Sequence, residues 1–524
     1  MRKPWFGTHI ISMEDLTRED LDRIHMVTEE LRSDFLRRNF SKWDNLLSKY
    51  NVASAFFENS SRTRLSHRLA ANYLGVDNSD GFYGPEGTSL QKGESLHDTI
   101  RMLIGYGNNI IVMRHASEGS ARWAADVVEI ALRDDLEKLG IDRSPVVIVN
   151  GGSGAEQHPT QVILDSYVIR MRRGTIDGLN IGFFGDIKNS RVANSWFSAM
   201  RLLKDSTLHL GFPEGFGPDH DTFGRLKDRG IHVETYDSLD GLKNVDVLIQ
   251  LRPQLERMND LEQKMFTTEW SITPDVVNAF VRNDAMILHP LPRNKNNLEL
   301  AMGVDRMPQS FYFQQESLGP FTRAATFALI CSEYGKTQFR EGSNEKLDFS
   351  ILGKLVERIR DEASPDERRR KVGLIEGNGV VIDHIPAGDA MKLVQLLKIS
   401  KFPVYIGSNL PSHQSMGSKD LLKYDGLGNL DPDSLARIRL FVPDATINYI
   451  KGGAVAQKFR YELPERIGDV VNCANPRCTT SHDQNEHVPQ KFYVVNSVTP
   501  ELRCAYCDRI TRPTKRQPMP TRVK

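Results

Sequence analysis

The spacing of hydrophobic and polar positions changes repeatedly along the chain, and each change marks an element. Leu21, Ile24, Val27 and Leu31 recur at helical period behind Asp15-Leu16-Thr17, with Asp20 three residues past a Thr17 cap, and predict an amphipathic helix. Leu65, Leu69, Ala70, Tyr73 and Leu74 predict a second helix, and Leu96, Ile100 and Leu103 a third. Between them, residues 77–87 are rich in Asp, Asn, Gly and Pro and read as a loop. Solid apolar runs at 109–113 and 145–149 predict strands buried on both faces, followed by a helix through Val162, Leu164 and Val168. The scheme repeats with runs at 180–186, 208–210, 231–233, 245–249 and 286–288, and an apolar helix over 321–329 closes it. Strands alternating with helices predict an α/β chain with two doubly wound parallel-sheet domains.

The pattern then breaks. Residues 338–371 are polar and dense in charge and read as a linker with one short helix over 352–359. A smaller α+β unit follows, with strands at 379–384, 404–406, 438–442 and 445–450 and a helix through Met391, Leu393 and Leu397. A short β domain holding four clustered cysteines ends the chain, and the proline-rich basic tail from Thr511 is expected to be disordered. The resulting division is 1–165, 166–337, linker 338–371, 372–464 and 465–524.

Composition narrows the class. At 524 residues the chain exceeds one core. With 26% charged and 39% hydrophobic residues it reads as globular rather than disordered. Lys+Arg and Asp+Glu both number 68, so no global basic field argues for nucleic acid or an anionic membrane. No apolar run approaches a membrane span, and the start, Met1-Arg2-Lys3-Pro4-Trp5-Phe6, has no apolar segment behind it to make a secretory signal. Five cysteines are few for this length, which fits a reducing, cytoplasmic setting and a metal site better than a disulfide framework.

The polar positions carry the chemistry. In Phe56-Phe57-Glu58-Asn59-Ser60-Ser61-Arg62-Thr63-Arg64, hydroxyls and an arginine stand where a helix begins. Free N–H groups, the helix dipole, hydroxyls and a guanidinium are what a phosphate needs. Arg62, Lys92, Arg114, Arg191, Arg252 and Arg293 fall after strands or in loops, where open α/β sheets bind ligands, and point together to a polyanionic substrate. There is neither Gly-x-x-x-x-Gly-Lys-Ser/Thr nor Gly-x-Gly-x-x-Gly, which argues against nucleotide hydrolysis and nicotinamide chemistry.

These residues resemble a known family. Phe57-Glu58-Asn59-Ser60-Ser61-Arg62-Thr63-Arg64 is similar to the carbamoyl phosphate motif of the aspartate and ornithine carbamoyltransferases. Lys92-Gly93-Glu94-Ser95, Met113-Arg114-His115, His158-Pro159-Thr160-Gln161 and His289-Pro290-Leu291-Pro292-Arg293 match further motifs in the same order. The last, with Arg252-Pro253-Gln254, looks like the aspartate type, and guanidiniums suit a substrate with two carboxylates. The resemblance implies that Ser60, Ser61, Arg62 and Thr63 hold the phosphate and that Thr63, Arg114 and His158 polarise the carbamoyl carbonyl. It further implies that Gln161 meets the amine, that Arg191, Arg252 and Gln254 bind aspartate's carboxylates, and that Pro290 and Leu291 line the substrate. Ser89 and Lys92 would enter from a neighbouring subunit of a catalytic trimer. The activity implied is carbamoyl transfer from carbamoyl phosphate to L-aspartate, a step of pyrimidine biosynthesis, with the leaving phosphate expected to take the proton and no organic cofactor. Ornithine as acceptor is the alternative within the family.

Cys473-x-x-x-x-Cys478 and Cys504-x-x-Cys507 supply four thiolates in two pairs, a set that suits one structural zinc ion. A non-catalytic zinc-ribbon nucleic-acid binder is the rival reading, but the segment between the pairs lacks interleaved basic and aromatic residues. Val381-Ile382-Asp383-His384-Ile385-Pro386-Ala387, Asn409-Leu410-Pro411-Ser412, Lys419-Asp420-Leu421 and Leu463-Pro464-Glu465-Arg466-Ile467 resemble the regulatory chain of aspartate carbamoyltransferases, here fused behind the catalytic one. The resemblance implies nucleotide effectors, with Asp383, His384, Lys423 and Lys458 at the contacting positions. Gly453 stands where that family carries a tyrosine.

Overall fold

The helix expected behind Thr17 is α1, Arg18–Leu36. Its start is fixed by a reciprocal capping box: the Asp20 N–H donates to Thr17 Oγ1 at 3.1 Å and the Thr17 N–H to Asp20 Oδ2 at 2.9 Å. The structure is a computed structural model that describes residues 2–77, 79–84, 86, 89–136, 145–254, 258–259, 263, 266, 270–293, 299–341, 354–357, 375–411, 417–482 and 486–513. The chain forms two compact units, Met1–Asn344 and Glu345–Lys524.

In the first unit the strands are β1 (Arg2–Pro4), β2 (Val52–Phe56), β3 (Ser79–Tyr83), β4 (Ile110–His115) and β5 (Val147–Ser153), followed by β6 (Asn180–Phe184), β7 (Thr207–Gly211), β8 (His232–Tyr236), β9 (Val247–Gln250), β10 (Met286–Leu288) and β11 (Phe339–Glu341). Two parallel sheets result, in orders β3-β2-β4-β5 and β10-β9-β6-β7-β8. The helices are α2 (Ser61–Tyr73), α3 (Leu96–Gly105), α4 (Ser120–Ala131), α5 (Pro159–Arg173), α6 (Arg191–Ala199), α7 (His220–Asp228), α8 (Pro274–Phe280) and α9 (Tyr312–Cys331). The central strands β2 and β9 are buried throughout, and so is β5 at the end of its sheet. Helix α9 packs on α1, α2 and α5, so one apolar cluster runs from Phe56 and Val149 through Phe327 to Ile181 and Ile249. No described helix is long and apolar enough to cross a membrane.

The second unit carries β12 (Lys354–Glu357), β13 (Gly379–Pro386), β14 (Val404–Pro411), β15 (Ser418–Asp425), β16 (Thr446–Lys451) and β17 (Ala454–Glu462) in an antiparallel sheet of order β12-β17-β16-β13-β15-β14. Helices α10 (Ala390–Leu397) and α11 (Pro432–Phe441) pack with it, and Val380, Ile382, Leu422, Ile447 and Phe459 are buried. A four-stranded antiparallel sheet follows, in the order β18 (Arg466–Gly468), β19 (Lys491–Asn496), β20 (Glu501–Cys504) and β21 (Ile510–Thr511).

Three expectations are corrected. Residues 79–83 are not loop but the edge strand β3, whose exposed positions accept polar residues. The helix expected over 352–359 is replaced at 354–357 by β12, which pairs with β17; the strand edge offers a ladder that outweighs local helical preference. The strand expected at 438–442 is the end of α11, capped by Asp431 accepting from the Ser434 N–H at 2.8 Å, with Pro432 in the first turn. Most of the expected linker and the tail beyond residue 513 lie outside the described residues.

Candidate active site

Strand β2 ends at Phe56, and the chain turns through Ser60 into α2. Ser60 is extended (φ −157°, ψ 101°) and makes no side-chain cap bond, so it leaves the first N–H groups of α2 uncapped by its hydroxyl. Arg62 is half-buried, and Thr63 is buried. Burial pulls the Arg62 guanidinium below its usual value; Glu316 opposes this and Arg252 adds to it, which places charges from α9 and from the loop after β9 beside the start of α2.

Arg114 ends β4 and donates from Nη1 to the Gly151 carbonyl at 3.1 Å. Burial first, then Arg191, brings its pKa down to about 9, so it stays charged at neutral pH. Gly151 and Gly152, at the end of β5, make the room. A Cβ on Gly152 (φ +125°) would lie 2.7 Å from Arg191 Nη1 and 3.0 Å from Arg114 Nη1, and one on Gly151 would lie 3.2 Å from Thr63 Cγ2.

Arg191 opens α6 from the second sheet and donates through both terminal nitrogens to Glu58 Oε2, each at 3.1 Å, while Arg114 Nε lies 3.6 Å from the same oxygen. Burial alone would raise the Glu58 carboxyl, but Arg191 and Arg114 hold it below its usual value. Glu58 therefore ties together arginines from both sheets. Sequence reasoning assigned it no role. Its place in the motif was visible, but its partner 133 positions away was not.

His158 stands at the start of α5, its backbone N–H held by Ser195 Oγ at 2.7 Å. Its ring lies between Thr160 Oγ1, 3.3 Å from Nδ1, and Thr63 Oγ1, 3.5 Å from Nε2. Burial, then Arg114, Arg323, Arg191 and His67, push its pKa well below 6.5. With the Thr160 hydroxyl donating to Nδ1, the neutral ring presents Nε2–H toward Thr63. Gln161 commits its amide N–H to Asp165 Oδ1 at 2.8 Å, which leaves its carbonyl oxygen available. Asp165 also accepts from Gln315 and Trp196 and is raised to about 6, by burial working against these donors.

After β9, the Gln254 N–H donates to Asp186 Oδ2 at 3.1 Å and its side-chain amide to the Asn189 carbonyl at 2.5 Å. After β10, buried His289 donates from Nε2 to Glu299 at 3.0 Å and accepts the Leu291 N–H on Nδ1 at 2.8 Å; half-buried Pro290 and Leu291 follow. Arg293 forms a bidentate pair with Asp305 at 2.6 and 3.2 Å. Ser89 and Lys92 lie on an exposed turn and touch none of these groups among the described residues.

In the second unit, cross-strand register aligns Tyr405, Lys423, Val381, Asn448 and Lys458 in one row across β14, β15, β13, β16 and β17. Asp383, two positions along from Val381, pairs with Lys419 Nζ at 2.6 Å, and His384 sits at a bulge (φ +62°) with Nδ1 3.5 Å from Asp383. Burial lowers the Lys423 ammonium. Lys419, named in the sequence only as part of a motif, shares one face of β15 with Lys423.

The four cysteines converge as their spacing implied, with all four sulfurs within 4.8 Å of one another and buried. Sγ atoms of Cys473 and Cys507 lie 3.7 Å apart, and those of Cys478 and Cys504 3.8 Å apart. A tetrahedron with metal–sulfur bonds near 2.3 Å has edges of about 3.8 Å, so the set fits a zinc-sized ion. Burial and the neighbouring thiols push Cys504 and Cys507 up, so a cation is what lets four thiolates coexist.

Comparison with known proteins agrees with this geometry. The family model "Aspartate/ornithine carbamoyltransferase, carbamoyl-P binding domain" matches residues 8–171, and the Asp/Orn binding domain matches 177–330. The allosteric and metal-binding domains of the aspartate carbamoyltransferase regulatory chain match 371–462 and 465–515. The aspartate carbamoyltransferase catalytic subunit of Pyrobaculum arsenaticum is 39% identical over 331 residues, covering 63% of this chain and 99% of the relative. That of Chromobacterium violaceum is 35% identical over 329 residues, with the same coverage. Among solved structures, aspartate transcarbamoylase from Trypanosoma cruzi in complex with carbamoyl phosphate superposes with a TM-score of 0.54 at 28% identity, covering 63% of this chain and 97% of that one. The catalytic subunit from M. Jannaschii gives 0.52 at 34% identity, covering 61% and 96%. The chain belongs to the aspartate carbamoyltransferase family and joins, in one polypeptide, the catalytic domains to the allosteric and metal-binding domains of the regulatory chain.

Proposed function

We propose that the protein transfers the carbamoyl group of carbamoyl phosphate to the amine of L-aspartate, giving N-carbamoyl-L-aspartate and phosphate. The observation that carries this reading is the convergence of the α2 start, Arg114 and His158 with Arg191 over Gly151 and Gly152. In this reading Ser60, Ser61, Arg62 and Thr63 seat the phosphate, and Arg114, Thr63 and the His158 Nε2–H point at the carbamoyl oxygen. The Gln161 carbonyl orients the incoming amine, Arg191, Arg252 and Gln254 take the carboxylates, and Pro290 and Leu291 line the pocket.

As the amine attacks, the new C–N bond forms, charge develops on the carbonyl oxygen, and the C–O bond to phosphate breaks. Fixed donors aimed at that oxygen are worth about 3–4 kcal/mol each. His158 is held neutral; with Nδ1 accepting from Thr160, its Nε2–H serves as a donor, and the amine proton passes to the departing phosphate. Ser89 and Lys92 reach the site from a neighbouring copy in a catalytic trimer. Their exposure, and that of Leu65 (52%) and Leu69 (39%) on α2, supports a covering subunit.

In the regulatory unit, a nucleoside triphosphate lies along the row of Lys423 and Lys458, with Asp383 and His384 at one end, and zinc holds the C-terminal domain through Cys473, Cys478, Cys504 and Cys507. The protein works in the cytoplasm. Supplying carbamoyl phosphate with equal L-aspartate and L-ornithine tests the reading: carbamoylaspartate is the expected product, and carbamoylation of ornithine instead would overturn it.

A further inference from the structure

Behind the phosphate loop, α9 carries two charged groups that the proposed chemistry leaves unused. Arg323 is only 4% exposed, and its Nε has no hydrogen-bond partner. A long helical side chain runs back toward the N-terminus of its helix, and this one lies over Gly319: a Cβ there would be 2.2 Å from Arg323 Nη1. Residues 316, 319 and 323 share one face of the helix, so the guanidinium reaches along that face toward Glu316. Glu316 feels both Arg323 and Arg62, while making no ion-pair contact within 4 Å among the described residues. Helix α9 packs directly on α2, whose first turn holds Arg62. One carboxyl thus sits in the field of two guanidiniums, on a helix packed against the one that carries Arg62, with an ion pair to neither among the described residues.

We propose that Glu316 is a positioning residue that makes anion binding at the start of α2 proton-linked: its carboxylate balances Arg62 and Arg323 in the empty site and takes a proton from solvent when a phosphate dianion arrives. The inference rests on the start of α2 being the phosphate site. A dianion beside Arg62 supplies the negative charge that Glu316 otherwise provides, and two anions facing one arginine repel. Burial raises the Glu316 carboxyl to about 7, against the pull of Arg323 and Arg62 and with a further push from Asp165. The exchange therefore falls in the neutral range. Of the other charged groups around the site, Arg114 at about 9 and Arg323 at about 10 stay protonated between pH 6 and 8, and His67 and His158 stay neutral; Asp165, at about 6, completes its ionisation at the lower end of that range in wild type and in Glu316→Gln alike.

Sulfate is the probe, because it is a dianion that does not titrate in this range. Calorimetry on the full chain at pH 6 and pH 8 should show sulfate binding, displaced by carbamoyl phosphate, that weakens up to about tenfold at the higher pH, with proton uptake revealed by comparing two buffers. Glu316→Gln should bind sulfate with nearly the same affinity at both values and show no uptake. Wild-type affinity independent of pH, or uptake that persists in Glu316→Gln, overturns the proposal while leaving the phosphate site intact. Failure of sulfate to bind, or of carbamoyl phosphate to displace it, overturns the phosphate-site reading and this inference together. The wild-type measurement needs no variant, so it stands even where Glu316→Gln folds poorly.

Discussion

At the residue scale, the ring of His158 is the most informative group. Its burial and the three arginines around it keep it neutral, so its contribution is a fixed hydrogen-bond donor rather than a titrating base. Its pKa is lowered, so the neutral form is complete at pH 6.5 and above. The wild-type rate should show no basic or acidic limb belonging to this residue between pH 6 and 8. His158→Ala should lower kcat by about 10²-fold, from loss of one donor, with an unchanged pH profile. A limb that disappears in the variant would instead make His158 the base. Motif residues were legible because their types and spacing carry the chemistry. Glu58, Gly151 and Gly152 were not, because their roles exist only where β2, β5 and α6 meet. The pairing of Arg293 with Asp305 was equally hidden, since it joins residues twelve positions apart.

At the element scale, the parallel strands were readable because burial on both faces forces unbroken apolar runs, as at 110–113 in β4 and 247–249 in β9. Exposed or polar edge strands escape that rule. β3 is polar and largely exposed, and β12 forms only because β17 offers a partner, so neither could be seen in the local pattern. The end of α11 looked like a strand because Ile438, Leu440 and Phe441 are all buried, while the decisive signal, Asp431-Pro432, lay seven residues earlier. Capping was read correctly at α1, and its worth can be measured. Thr17→Ala removes the acceptor for the Asp20 N–H and should lower the unfolding free energy of the first unit by about 1 kcal/mol in denaturant titration. No shift in the midpoint would mean that the box adds nothing beyond propensity.

At the scale of the whole molecule, a catalytic unit and a regulatory unit share one chain, and the metal cluster belongs to the second. Chelation should release about one zinc per chain and expose four thiols to a disulfide reagent, while Cys331, fully buried in α9 with its thiol pushed up by burial, should stay unreactive until the first unit unfolds. Five thiols reacting together, or none, would contradict this assignment. In the proposed mechanism one site holds a phosphate at the start of α2 and two carboxylates at Arg191, Arg252 and Gln254. N-(phosphonacetyl)-L-aspartic acid, present in one of the similar Trypanosoma cruzi structures, joins those groups in one molecule. Its calorimetric titration into the full chain is the most direct measurement. Binding should be at least about 10²-fold tighter than that of inorganic phosphate and weakened by both Arg62→Ala and Arg191→Ala. Affinity no better than that of phosphate, or affinity indifferent to Arg191→Ala, would contradict it.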